Sequence, residues 1–223
     1  MNEPVKSSKQ PVPGTKISRR DRAAATRRRI LAAAEAEFVA KTYHAALMSD
    51  IAKRAGVSVQ MIYFSFGTKA KLLGAIIENA VLGEDAPVEP LKSDWYETVK
   101  QAPTAAEAIR RFIIGGGRIY ERASAVALVG AAGRATDPEL DRISRAGEEL
   151  RAANYRSVIE LAATKGPLKP GLDVQTATDI LVAVFSPALY MEFINDRGWS
   201  HAQTMLWLAS ALPSLICADQ VGS

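Results

Sequence analysis

Apolar residues recur at helical spacing along most of the chain, and no stretch alternates between apolar and polar residues for long enough to predict a strand. The pattern indicates an all-α protein of about nine helices. The predicted helices cover about residues 21–41, 48–55, 59–64, 69–83, a short segment around Trp95 and Tyr96, a helix beginning after Thr104, then 138–164, 173–195 and 200–217.

Residues that favour helix ends support these boundaries. Gly56 is a stop signal for the second helix, and Ser58 and Thr68 are suited to cap the third and fourth. Asp137, followed by proline, is a start signal for a later helix. Pro187 predicts a kink within the helix over residues 173–195.

The first four helices occupy a segment that differs in charge from the rest. Residues 1–71 contain 14 Lys and Arg but 5 Asp and Glu, whereas residues 72–223 contain 14 and 19. Clustered cations suit the neutralisation of phosphates. A proline-containing connection over residues 84–103 is the best candidate for a domain boundary. We therefore expect a flexible basic tail (1–20), a helix-turn-helix DNA-binding head (21–84) and a helical body for effector binding and dimerisation (85–223).

Residues 47–66 have the features of a helix-turn-helix, namely two short helices, a glycine turn and an exposed second helix. Ile62 and Phe66, four residues apart, are expected to face the core. Gln60 is the best base reader, because its amide can pair with adenine. Val59 and Met61 could pack on thymine methyl groups. The residues predicted to contact bases or phosphates are Arg27, Arg28, Leu47, Met48, Ser58, Val59, Gln60, Met61, Tyr63, Phe64, Thr68 and Lys69.

The run DIAKRAGVS at residues 50–58, followed by IYFSFGTK at 62–69 and by two leucines at 72–73, resembles the DNA-binding head of the TetR family. The resemblance implies a homodimer of chains with nine or so helices, which releases DNA when a small ligand binds the body. Three positions depart from the family pattern. Leu47 stands where a phosphate-contacting Thr is usual, Ser65 replaces a common His, and Thr42 replaces a common Gly.

The sequence predicts the binding surfaces of the body less clearly than those of the head. Two helices near the C-terminus are apolar over most of their circumference, as expected if one face meets the core and another meets a partner. The alternative is an ordinary monomer core. Residues predicted for a dimer interface are Val174, Ala177, Leu181, Val184, Met205, Leu208 and Leu212. Candidate ligand contacts, with core packing as the alternative, are Trp95, Tyr120, Asn154, Tyr155, Phe185 and Tyr190.

Gly115, Gly116 and Gly117 interrupt a helical pattern, where each glycine costs up to about 1 kcal/mol relative to alanine. Close helix packing or a kink is the plain explanation, and a ligand-sensitive hinge is the alternative. No catalytic constellation, metal-ligand spacing or cofactor motif is found, so we expect neither an enzyme nor a metal or cofactor site. The single cysteine, Cys217, lies in an apolar stretch and favours a reducing, cytoplasmic location without membrane association.

The function expected is that of a ligand-responsive transcription regulator, most simply a homodimeric repressor. Its partners would be double-stranded DNA, a second copy of itself and a small-molecule effector. Two-fold symmetry would place the recognition helices about 34–36 Å apart on a palindromic operator. The main alternative is a DNA-binding activator or scaffold controlled by a protein partner without a small-molecule ligand. A small-molecule carrier with a vestigial head is a third.

Overall fold

The computed structural model describes residues 18–83 and 88–218. Most of the predicted basic tail, and the predicted boundary at residues 84–85, lie outside them. Within the described residues the fold is all-α, as the sequence predicts. The helices are α1 (Arg19–Ala45), α2 (Met48–Ala55), α3 (Val59–Phe66), α4 (Lys69–Leu82), α5 (Asp94–Lys100), α6 (Ala105–Gly133), α7 (Pro138–Ala163), α8 (Val174–Val184), α9 (Pro187–Met191) and α10 (His201–Ile216), with a 3-10 turn at Pro90–Lys92 and a π-helical turn at Glu192–Asp196.

Helices α1 to α4 form the head around a core that includes Ile30, Ile51 and Ile62, all fully buried. The caps occur where the sequence places them. The hydroxyl of Ser58 accepts a hydrogen bond from the Met61 amide, and Gly56 adopts the left-handed conformation with φ of 64°. This glycine allows the sharp turn that sets α3 across α2.

The first helix is longer than expected and bends near its end. It continues to Ala45 across a non-helical residue, Thr42, with φ of 75° and ψ of 166°. That conformation is essentially reserved for glycine, because a Cβ crowds the backbone there. The bend turns Tyr43 into the core of the head.

Helix α6 is the central element of the body, where α5, α7, α9 and α10 pack against it. It runs unbroken through Gly115, Gly116 and Gly117, and of the explanations offered for these glycines close packing fits. A Cβ on Gly115 would lie 2.3 Å from the indole of Trp95, and one on Gly117 would lie 3.0 Å from the sulfur of Met205. The glycines therefore let two side chains approach the helix backbone.

The body also completes the core of the head. Val126 of α6 and Leu140 of α7 are fully buried in the same apolar cluster as Ile30 and Phe38. A Cβ on Gly133, at the end of α6, would lie 2.9 Å from Tyr43. Head and body thus share a packed boundary at the α6–α7 corner.

The single kinked helix predicted over residues 173–195 is instead two helices followed by the π-helical turn. Helix α8 ends at Val184, and Ser186 caps α9 with Pro187 at its first position. Proline restricts the residue before it and cannot donate to the preceding turn, so it starts a new helix here rather than bending an old one. By length and composition alone, Val174–Asp196 is apolar enough to cross a membrane, but the break leaves α8 with 11 residues.

Candidate DNA-binding surface, head–body seam and effector region

The recognition helix α3 separates its residues into two faces. Ile62 and Phe66 are buried, and Val59 packs partly against the head core. Gln60, Met61, Tyr63 and Phe64 are exposed, together with Ser65. Phe64 lies almost opposite the buried pair on a helix of 3.6 residues per turn. The structure therefore presents four of the predicted DNA contacts on one outward surface and turns Val59 partly inward.

The start of α2 lacks a side-chain cap. Leu47 occupies the N-cap position with its side chain exposed and makes no side-chain hydrogen bond to the helix amides. Met48, the next predicted contact, is half-buried against the head core. The Asp50 and Ile51 amides donate to the Leu47 carbonyl, so the amides that would suit a phosphate oxygen here are those of Met48 and Ser49.

Thr68 and Lys69, predicted to meet phosphate, are engaged within the chain. The hydroxyl of Thr68 donates to Glu139 at 2.6 Å and accepts from the Lys71 amide. The Lys69 ammonium lies 4.8 Å from the centre of the Tyr43 ring, and burial lowers its pKa. Lys69 remains partly exposed at the N-terminal end of α4, where a phosphate would meet both its charge and free amides.

Arg27 and Arg28 are exposed on α1. The Arg27 guanidinium lies 4.6 Å from the centre of the Phe66 ring, which fixes it beside α3. Glu37 is buried on α1 and pairs with Arg54 and Lys41 at 2.8 and 2.9 Å. Hydrogen bonds from Lys41 and Arg54 hold the pKa of Glu37 below its usual value. This ionic cluster ties α1 to the helix-turn-helix.

Polar contacts between the end of α1, the start of α4 and the α6–α7 corner form what we call the head–body seam (residues 43–44 and 68–71 against 136–139). Tyr43 donates its hydroxyl to the Asp137 carboxylate at 2.5 Å, and His44 shares a hydrogen bond with the Thr136 hydroxyl. Glu139 accepts from Thr68 and lies 3.7 Å from the Lys71 ammonium. The sequence gives no sign of these contacts, since the Tyr43 and Asp137 positions are 94 residues apart.

Asp137 has two roles in the seam. It caps α7 by accepting from the Glu139 and Leu140 amides, and it accepts the Tyr43 hydroxyl. The Tyr43 hydrogen bond is the main cause that lowers the pKa of Asp137, with the two amides adding to it and burial opposing it. The start of α7 is thereby tied to the DNA-binding head.

Four of the predicted ligand contacts lie together in the body core, where their rings pack on one another. The Tyr120 and Phe185 rings stack with centroids 4.1 Å apart, and the Tyr155 and Tyr190 rings lie within 6 Å of one of these two. Trp95 lies at the edge of this cluster, 6.0 Å from the Phe112 ring, and is half-buried. Asn154 is half-buried on α7 beside Tyr155.

The aromatic cluster surrounds the break between α8 and α9. The Phe185 carbonyl, freed where α8 ends, accepts from the hydroxyl groups of Tyr120 and Tyr155 and from the Arg151 guanidinium. The two tyrosine oxygens are 2.6 Å apart, and burial raises the pKa of both groups. Each tyrosine hydroxyl has one proton, so when one of them donates to the other, the carbonyl accepts from the second hydroxyl and from Arg151. These donors stabilise the break and would also suit an acceptor group on a ligand.

Burial within the subunit argues against five of the seven residues predicted for the dimer interface. Ala177, Leu181, Met205, Leu208 and Leu212 are buried in the core of their own subunit and have no surface left for a partner. Val174 and Val184 are half-buried against that core. Because both faces of these helices are apolar, periodicity could not tell the inward face from the outward one.

The outward face of α10 presents exposed apolar side chains. Leu206 is 66% exposed and Trp207 is 40% exposed, and the exposed Leu215 lies a little over two turns later. The Trp207 ring packs against Phe193, which stacks on Trp199 with centroids 4.4 Å apart. We refer to Phe193, Trp199, Leu206, Trp207 and Leu215 as the outer patch.

A separate cleft of about 320 Å³ lies between α1, α4 and α6. It is lined by Glu35, Asn79, Glu121 and Arg122, among others, and burial raises the pKa of Glu35. Among the described residues no group of three or more His, Cys, Asp or Glu side chains could hold a metal ion.

Sequence comparison places the head among known regulators. Residues 30–76 match the family model of bacterial regulatory proteins of the tetR family. A curated relative, the HTH-type transcriptional activator FasR of Mycolicibacterium smegmatis, is 32% identical over 108 residues, which is 48% of this chain and 49% of FasR. The chain thus spans about half the length of that relative.

Solved structures share the whole fold at lower identity. The regulator FadR of Bacillus subtilis, in complex with stearoyl-CoA, superposes with a TM-score of 0.67 at 21% identity, covering 84% of this chain and 98% of FadR. A transcriptional regulator of Saccharomonospora viridis in complex with choline superposes with a TM-score of 0.64 at 18% identity, covering 86% of this chain and 98% of that regulator. PfmR of Thermus thermophilus superposes with a TM-score of 0.62 at 21% identity, covering 84% of this chain and 96% of PfmR. All three are described as transcription regulators.

Proposed function

We propose that this chain, whose residues 30–76 match the family model of tetR-type regulatory proteins, is a homodimeric repressor that leaves a palindromic operator when a small molecule binds its body. The observation that carries the proposal is the head–body seam. It joins the bend of α1 and the start of α4 to the start of α7, the helix that carries Tyr155 and Arg151. A change in the body is therefore transmitted to the DNA-binding head.

The DNA-binding step uses the outward surface of α3. Gln60 reads a base, while Tyr63 and Lys69 contact phosphates and fix the position of the helix. The exposed Arg27 and Arg28 follow the DNA backbone. The positive charge of residues 1–71 supplies the attraction that every such contact needs.

Dimerisation uses the outer patch and the exposed side of α8. Small side chains, Ser210 and Ser214, follow Leu206 at intervals of four residues, so a second α10 can approach closely along this face. A Leu206→Glu variant should sediment as a monomer and lose operator affinity, because the two heads are no longer held at a fixed spacing. A dimeric Leu206→Glu variant would place the interface elsewhere.

The effector binds at the aromatic cluster around the α8–α9 break. An apolar molecule with an acceptor group would take over donors that now converge on the Phe185 carbonyl. Removing those donors from the carbonyl shifts α7 relative to α8, and the seam passes this shift to the head. The ligands of the structural neighbours, stearoyl-CoA and choline, supply two chemically opposite probes for this site.

The test begins with the full-length protein and duplexes selected from a random DNA library. Gln60→Ala should relax sequence preference, whereas Lys69→Ala should weaken all duplexes and reduce the salt slope by about one. Stearoyl-CoA, octanoate and choline are then titrated into the complex. Release of DNA by one of them supports the effector step. If neither Gln60→Ala nor Lys69→Ala changes DNA binding, the head assignment is wrong.

Tyr43→Phe tests the seam itself. The variant keeps the packed ring and loses the hydroxyl that binds Asp137, so operator affinity without effector should stay near the wild-type value. The effector-induced loss of affinity, typically 1–3 kcal/mol in coupled systems, should shrink. Equal coupling in wild type and variant would show that the signal takes another route.

A second candidate function is activation, because the curated relative is named an activator. An activator controlled by a protein partner would bind the same operator but raise transcription. Transcription in vitro from a promoter carrying the selected operator separates the two, since a repressor lowers the transcript and an activator raises it.

A further inference from the structure

The recognition helix carries no charged residue. From Val59 to Phe66 its side chains are Val, Gln, Met, Ile, Tyr, Phe, Ser and Phe. Recognition of guanine usually relies on Arg or Lys, and recognition of cytosine on Asp or Glu. This helix can therefore form base contacts only through Gln60, Tyr63, Ser65 or apolar side chains.

The most exposed large apolar residue of the described chain is on this helix. Phe64 is 90% exposed, and Met61, three residues earlier on the same face, is 45% exposed. Gln60 lies one turn before Phe64, so the predicted base reader and the two apolar side chains form one strip. A phenyl ring left in water here has no partner within the subunit and is suited to bury itself against a partner of the helix.

The length of α3 places this strip inside the groove. Eight residues span about 12 Å, close to the width of the major groove of B-DNA. Phe64 lies opposite the buried Ile62 and Phe66, so a helix docked in the groove with its buried face outward would direct Phe64 at the base edges. The apolar group that base edges offer in this groove is the 5-methyl group of thymine.

We propose that Phe64, assisted by Met61, determines operator specificity by packing on thymine 5-methyl groups in the major groove. The inference rests on the proposed DNA binding of α3 and extends it by naming the chemical group that is read. The operator should carry a thymine under Phe64 in each half-site, next to the adenine read by Gln60. Such contacts release no counterions, so they contribute to affinity without adding to its salt dependence.

The experiment uses the full-length protein and its selected operator, with thymines replaced one at a time by deoxyuridine, which removes the methyl and keeps base pairing. For the wild type, symmetric replacement at the critical position should weaken binding about tenfold, since each half-site loses one buried methyl. Phe64→Ala should bind both duplexes with nearly equal affinity. Its salt slope should equal that of the wild type.

Two variants serve as controls. Val39→Ala removes an exposed apolar side chain of α1 and should keep the tenfold methyl dependence. Phe64→Leu keeps an apolar side chain at this position and should keep part of the methyl dependence. Because Phe64 is almost wholly exposed, Phe64→Ala should retain the wild-type circular dichroism and unfolding midpoint, so a change in binding is not a change in folding.

The outcomes separate this inference from the function on which it rests. A wild type indifferent to methyl removal at every position, or a Phe64→Ala variant as sensitive as the wild type, overturns methyl reading while DNA binding stands. A wild type that selects no duplex overturns both. Methyl dependence that is abolished by Phe64→Ala and kept by Val39→Ala supports the inference.

Discussion

Thr42 and Leu47 are two of the residues at which this head departs from the family pattern that it resembles, and each has a physical cost. Thr42 holds a backbone conformation that suits glycine, and Leu47 leaves α2 without a side-chain cap. They lie on either side of Tyr43, the head residue that binds Asp137. Both departures should lower the stability of the head at its contact with the body.

Thr42→Gly should stabilise the protein. Relief of the strained backbone is worth about 1–3 kcal/mol, less up to about 1 kcal/mol for the greater freedom of glycine in the unfolded chain. The free energy of unfolding in urea measures the difference. Thr42→Ala, which keeps the Cβ, should show no comparable gain, and a gain of equal size would rule out strain as the cause.

Leu47→Thr should supply the missing cap of α2. A Thr hydroxyl at this position stabilises the helix by about 1 kcal/mol and adds a donor for a phosphate oxygen. We expect a higher free energy of unfolding together with tighter operator binding. Leu47→Ala removes the exposed side chain without adding a cap, so it should give neither effect.

At the scale of the element, a glycine of α6 and a glycine of α7 differ in whether helix packing requires them. Gly115 lies directly under the Trp95 indole, whereas a Cβ on Gly147 of α7 would meet nothing within 4 Å. The first glycine is required by packing and the second is not. The intrinsic helical preference for alanine is the same at both sites.

The pair Gly115→Ala and Gly147→Ala tests this distinction. Gly147→Ala should stabilise the protein by about 0.5–1 kcal/mol. Gly115→Ala should destabilise it by about 1–3 kcal/mol, because the added Cβ displaces Trp95. In a Trp95→Ala background that penalty should largely vanish. Thermal unfolding of the wild type, the three single variants and the double variant measures these differences. Stabilisation by Gly115→Ala would show that Trp95 moves at no cost.

The elements that the sequence predicts well are those with local signals. Ser58, Gly56 and Asp137 define helix ends through contacts with residues a few positions away, and all three act as expected. The face of α10 that meets the core could not be predicted, because Leu208 and Leu206 are equally apolar and tertiary packing alone selects between them. The same holds for Tyr43 and Asp137, whose contact depends on the path of the chain between them.

At the scale of the whole molecule, the stability of the protein in acid depends on a carboxylate that contacts both head and body, Asp137 of the seam. The folded-state pKa of Asp137 is lowered, so its contribution to stability is present above the unfolded pKa, near 3.8, and is lost as the pH falls through the folded-state value. Protonation ends the charge that both the Tyr43 hydroxyl and the α7 amides stabilise.

Asp137→Asn should therefore flatten the fall in unfolding free energy below about pH 4, measured by urea titration at several pH values. Asp173→Asn is the matched control, since Asp173 also caps a helix, α8, and its pKa is also lowered. Both variants should lose acid dependence, but the Asp137 variant alone should lose effector coupling. Loss of coupling in both would mean that helix capping in general, rather than the seam, carries the signal.

The positions of the three tryptophans have a spectroscopic consequence. Trp95 packs against Gly115 of α6 beside the aromatic cluster, while Trp199 and Trp207 lie together in the outer patch. Fluorescence from Trp95 is thus placed to sense the interior of one subunit, and fluorescence from the other two to sense the proposed contact with a second subunit. Single-tryptophan versions of this chain would let effector entry and subunit assembly be followed as separate optical signals in one solution.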